Sequence, residues 1–198
     1  MSTAAAAPSR TGGTGAVLAD LLPASRARDI ALVTGGAVLT GLAAQVSIPV
    51  EGLPAPITGQ TFAALLVGTS LGAGRAFLSL ALYLMVGVAG VPWFAEGASG
   101  FSIPTLGYIL GMLLAATAVG ALARRGADRS VLRMAGTMAL GSLIVYAVGV
   151  PYLALSTGMG LSKAVALGMV PFLIGDALKA VLAMGLTPAA WKLAGRDA

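Results

Sequence analysis

Two ionisable residues, Asp176 and Lys179, interrupt an otherwise apolar run, VPFLIGDALKAVLAMGL. They are three positions apart, so on a helix both side chains leave neighbouring points of one face. A charge at bilayer depth costs at least ~3 kcal/mol unless it is paired, and such residues mark solute or ion pathways. Phe172 and Ala183 continue the same face, which therefore reads aromatic, acid, base, small residue. That order predicts one wall of a ligand pocket. The alternative is a salt bridge that only locks this helix against its neighbours.

Composition says what surrounds the pair. The chain has 198 residues, of which 58% are apolar and 10% charged, with a mean hydropathy of +0.94. Soluble domains carry about 25% charge, so the sequence predicts an all-α integral membrane protein. Its length suits one bundle of six spans, each needing about 20 residues. Cysteine and histidine are both absent, which removes the usual zinc sites, thiol chemistry and imidazole acid–base catalysis. No metal or cofactor is expected.

The net charge of +5 comes from twelve basic residues. With six crossings, ten of them fall on one side: Arg10, Arg26 and Arg28 before the first apolar run, Arg75 between the second and third, Arg124, Arg125, Arg129 and Arg133 between the fourth and fifth, and Lys192 and Arg196 after the sixth. The opposite loops hold Lys163 with the acids Glu51 and Glu96. The positive-inside rule then places both termini in the cytoplasm. The basic excess is a topology signal, and no nucleic-acid partner is expected.

Three segments follow from these patterns: a disordered cytoplasmic lead over 1–28, a transmembrane domain over 29–192 and a short cytoplasmic tail over 193–198. The lead is not read as a secretory signal, because the apolar run begins near Ile30 and exceeds signal-peptide length. Expected spans are Ile30–Ile48, Ile57–Leu71, Arg75–Gly90, Pro104–Ala123, Leu132–Leu155 and Leu161–Lys192, the last kinking at Pro171. The second and third are short, so a re-entrant hairpin stays open beside two crossings. Two outside loops, 49–57 and 90–103, are expected to cover the pocket. Gly68–Gly72 and Gly107–Gly111 have GxxxG spacing, and span one carries small residues at Ala31, Gly35, Gly36, Ala37, Gly41 and Ala44. Close packing within the bundle or against another protein would explain them equally. Trp93 and Trp191 read as interfacial belt residues.

Catalytic motifs are missing. None of the three lysines follows a glycine, so no phosphate-binding loop can be built. Only one acid lies within the spans, so paired-carboxylate chemistry is excluded as well. An enzyme is therefore not expected. In PAPITGQTF, Thr58 suits an N-cap for span two, whereas Gln60 offers a neutral amide that donates and accepts near the outer mouth.

The segments PAPITGQTFAALL, LGAGRAFLSLALYLMVGVAGVPWFA, PTLGYILG and PFLIGDALK follow one another between about residues 30 and 190. Together they resemble the BioY family, the biotin-specific substrate-binding (S) components of energy-coupling-factor (ECF) vitamin importers. The resemblance implies a six-helix membrane bundle with both termini cytoplasmic, in agreement with the charge count. It also implies a prokaryotic cell membrane, and as partners biotin, a transmembrane coupling protein and two ABC-type ATPases. The family's acid and base correspond to Asp176 and Lys179. Its glycine-rich loop, typically P-V-F-A-G-G, reads Pro92, Trp93, Phe94, Ala95, Glu96, Gly97 here. Its G-P-T-G-G-Y-L keeps Tyr108 but has Ile103 and Leu106 in place of two small residues. Beside Asp176 and Lys179, the candidate ligand set takes in Gln60, Thr58, Tyr108 and Phe94. The docking surface for the coupling protein maps to Ala31 and Gly35, or to Ala37 and Gly41.

Biotin suits such a set. Its ureido ring has two N–H donors and a carbonyl, its thiophane ring is apolar and its tail is a carboxylate. Three other functions remain open on the residues alone: an S component for another vitamin, a channel or ion-coupled carrier using Asp176, and a structural membrane protein. No second span supplies the polar stripe that a channel needs.

Overall fold

The computed structural model of the protein describes residues 15–194. Its frame is a helical bundle, as lipid requires of a chain that must satisfy its own backbone polar groups. Helix α1 (Arg26–Gln45) starts behind Ser25, whose Oγ accepts the Arg28 N–H at 3.0 Å. The chain then forms a two-residue antiparallel ladder, β1 (Ser47–Ile48) with β2 (Ile57–Thr58), which clips the base of the proline loop. Span one therefore stops short of Ile48 and the next helix starts after Ile57. Pro56 biases its neighbours to extended backbone, and β-branched Ile57 fits a strand.

Helices α2 (Gln60–Leu71) and α3 (Ala73–Val88) are joined by Gly72 alone. Gly72 has φ +80°, a backbone conformation that favours glycine, and a Cβ there would lie 3.0 Å from the mobile end of Arg124. Helix α4 (Leu106–Arg124) is central, packing on α2, α3 and α5 (Val131–Thr157). A Cβ at Gly68 would stand 2.6 Å from the Ala116 carbonyl, and one at Gly111 2.8 Å from that of Val145. Both GxxxG pairs thus serve contacts inside this chain.

The final apolar stretch is broken, not merely kinked. Helix α6 (Leu161–Gly168) ends in a 3-10 turn at Val170–Phe172, and α7 (Leu173–Leu193) begins directly after it. Among the described residues, four stretches are long and apolar enough to cross a membrane: α1, α4, α5 and 161–193. With 12 and 16 residues, α2 and α3 extend about 18 and 24 Å at helical rise, less than the ~30 Å hydrocarbon core.

Residues 16–21, expected within a disordered lead, are packed onto the bundle instead. Val17 is fully buried, and a 3-10 turn at Leu18–Leu21 places Asp20 against Arg75 (2.9 Å) and Arg124 (3.4 Å). Burial pushes the Asp20 carboxyl up, but the Arg75 hydrogen bond, the Val17 N–H and the two arginine charges outweigh it and hold it below the usual carboxylate range. The rest of the expected lead, 1–14, and positions 195–198 of the expected tail lie outside the described residues.

Trp191 is buried and is not a belt residue, whereas Trp93 is half-buried. Trp93 packs its ring on Tyr83 and over Gly41, donating Nε1–H to the Tyr83 carbonyl (3.0 Å). Trp191 is buried, donates to Asp128 Oδ2 (2.7 Å) and lies under the Arg129 guanidinium. It ties the end of α7 to the α4–α5 loop. Burial pushes the Asp128 carboxyl up, offset in part by Trp191 and Arg129.

Candidate functional site

A partly open cleft lies among the first turns of α2, α4 and α7 and the middle of α5. Ala55 and Pro56 of the first outside loop and Ala95 of the second reach its rim. The floor and walls are mainly apolar, with Ile109, Met112, Val145 and Phe172, as a pocket for a ring-bearing ligand requires. Arg75, Arg124 and the Asp128–Trp191 lock gather at the opposite helix ends.

Asp176 and Lys179 both line the cleft, as their spacing predicts. Asp176 sits in the first turn of α7, where unpaired backbone N–H groups favour an anion. Lys179 Nζ lies 3.3 Å from Asp176 Oδ1 and 2.7 Å from Thr61 Oγ1. Tyr146 of α5 donates its hydroxyl to Asp176 Oδ2. The pair is therefore braced from α2 and α5, and both side chains are mostly shielded, with 13% and 16% of their surface exposed. A carboxylate has about four lone-pair sites and an ammonium three donors, so each group retains capacity for a ligand.

Gln60 also lines the cleft; it is 5% exposed and donates Nε2–H to the Tyr83 hydroxyl at 3.0 Å. Thr58 lines it too, but as the last residue of β2, not as an N-cap. Gly59 is the cap, and the Thr58 hydroxyl accepts only weakly from the Gln60 N–H at 3.3 Å. Tyr108 forms a wall with its hydroxyl engaged to the Gly168 carbonyl (2.8 Å). Phe94 is not brought to the cleft. It is fully buried, edge-on to Tyr83 and against Gly87. The loop turns it inward because Glu96 and Gly97 both adopt positive φ, closing a tight turn behind it.

Thr61 and Tyr146 are site residues that the sequence reading passed over. A tyrosine deep in an apolar span needs a partner for its hydroxyl, which was a usable signal for Tyr146. Thr61 carried none, since its role depends on α7 crossing α2.

The two docking pairs separate cleanly. Ala31 and Gly35 are exposed, with nothing within 4 Å of a Cβ built on Gly35. Ala37 and Gly41 are buried, and a Cβ on Gly41 would meet Trp93 at 3.1 Å. The second pair packs the bundle and offers no outward surface.

The model of the BioY family matches residues 15–196. A probable biotin transporter BioY of Pyrococcus horikoshii is 33% identical over 80% of this chain and 93% of its own length. The biotin transporter BioY of Thermotoga maritima is 35% identical over 71% of this chain and 82% of its own. Among solved structures, the S component for biotin from an ECF-type ABC transporter superposes with a TM-score of 0.72 at 21% identity, covering 86% of this chain and 95% of that one. The fold is shared with that S component, and by sequence the chain belongs to the BioY family.

Proposed function

We propose that this chain captures biotin at the outer face of a prokaryotic cell membrane and passes it inward, as the substrate-binding component of an ECF importer. The observation that carries the reading is the braced Asp176–Lys179 pair in a cleft otherwise lined by apolar and uncharged groups. Asp176 accepts from the ureido N–H groups, Ile109, Met112 and Phe172 enclose the thiophane ring, and Lys179 faces the ligand's negative end or steadies the acid. Gln60 and Thr58 supply neutral polar contacts near the mouth. The relatives named for biotin transport support this choice over another vitamin.

The chain crosses six times, with α2 and α3 as short spans completed by the loops at their outer ends, and both termini in the cytoplasm. Its arginine-rich end then faces the compartment where the positive-inside rule places it. A transmembrane coupling protein docks on the exposed Ala31–Gly35 face, and two ABC ATPases supply hydrolysis. Equilibrium binding of labelled biotin to the purified chain tests the reading. Saturable binding that unlabelled biotin displaces is expected; failure of folded protein to bind overturns it.

A further inference from the structure

In an unbroken helix the Gly168 carbonyl would accept from the N–H of Phe172. Here the Phe172 N–H turns back to Met169 instead (3.0 Å), in the 3-10 turn at the α6–α7 break. Pro171 has no N–H to offer the preceding carbonyl either. The break therefore leaves backbone acceptors without helical partners, and at buried Gly168 an unpaired one is costly. The Tyr108 hydroxyl meets the Gly168 carbonyl at 2.8 Å. Space has been cleared for it on both sides: a Cβ on Gly149 would overlap the Tyr108 ring, and one on Gly168 would overlap its hydroxyl.

Tyr108 also joins two separate apolar clusters. One is the main core; the other is a small cluster formed by Tyr146, Val150 and Leu153 of α5 with Ala164 of α6. Helix α6 rests mainly on α5 through this small cluster. Phe172 and Asp176, which line the cleft, follow the break within eight residues of Gly168. The angle of the break thus decides where those side chains enter the cleft.

We infer that Tyr108 is a positioning residue: its hydroxyl latches the helix break at Gly168 and so sets the placement of Phe172, Asp176 and Lys179, and does not bind the ligand directly. The inference rests on the reading of the cleft as the biotin site. It gives the hydroxyl a different task from the ligand contact expected of Tyr108 from the sequence.

The test combines Tyr108→Phe, Gly168→Ala and the double variant. Each single change is expected to weaken biotin binding about tenfold, the first by stranding a carbonyl and the second by crowding both the hydroxyl and Leu153 Cδ2. In the double variant the hydroxyl is already gone and only the Leu153 contact adds to the loss, so binding falls by less than the product of the two single losses. Wild-type affinity in Tyr108→Phe overturns the inference, as do single losses that multiply to about a hundredfold in the double. The chain has no cysteine, so spin labels at Lys163→Cys and Leu178→Cys report the α6–α7 geometry without ligand. A narrow distance distribution that broadens in Tyr108→Phe is expected; an unchanged width overturns the latch. If the wild-type chain binds no biotin, the functional reading fails while the label distances still decide the latch.

Discussion

Lys179 Nζ stands 2.7 Å from Thr61 Oγ1, closer than the 3.3 Å to Asp176 Oδ1, its neighbour one turn away. The ammonium is thus held by α2 as well as by the acid. Thr61→Val keeps the shape but removes the acceptor, and is expected to weaken biotin binding by about 1–2 kcal/mol, with Thr61→Ser near wild type. Dissociation constants of the three proteins check this. Equal affinities would show that the lysine needs no support from α2.

Asp176→Asn keeps the volume and removes the charge-assisted acceptor. It is expected to cost about 1.5–3 kcal/mol, tenfold to hundredfold in affinity. Lys179→Ala weakens binding as well, and additionally leaves a shielded acid without its cation. Wild-type affinity in both folded variants would reduce the pair to a structural bridge.

The docked segment around Asp20 makes a prediction about acid. Because the folded carboxyl is held below its ordinary value of 3.8, it contributes stability above that pH and loses it as pH falls through the lowered value. Amide exchange over 17–22 should stay slow at neutral pH and rise only in strongly acidic solution. Asp20→Asn should raise it already at pH 7, for a cost of about 0.5–1 kcal/mol, since the ion pairs are partly exposed and screened. Unchanged exchange in that variant would mean that Val17 burial alone holds the segment.

Gly35 and Gly41 lie two turns apart on α1 and should respond oppositely to tryptophan. Gly35→Trp points into open space, so biotin binding by the isolated chain is expected to survive while ATP-driven uptake with the energising proteins falls at least tenfold. Gly41→Trp would collide with Trp93 and is expected to cost several kcal/mol of stability, of order 3. Full uptake by Gly35→Trp would remove this face as the docking surface.

Sidedness is checked by single cysteines. Lys163→Cys should react from outside intact cells, and Arg133→Cys only after permeabilisation. The reverse pattern would invert the topology.

Much of this was legible along the chain. Low charge pointed to a membrane bundle, and the three-residue spacing of Asp176 and Lys179 put both on the face that lines the cleft, because each depends on local sequence and on lipid as solvent. What stayed hidden was which way each apolar face turns. In lipid, outward and inward faces are both apolar, so composition could not separate exposed Gly35 from buried Gly41, or show that Phe94 packs on Tyr83 and not in the cleft. Thr61 and Tyr146 became site residues only when α7 crossed α2 and α5. The packing of residues 16–21 likewise combines buried Val17 and Ala19 with Asp20, whose carboxylate reaches arginines 55 and 104 residues away, a relationship made by the fold and not by any local pattern.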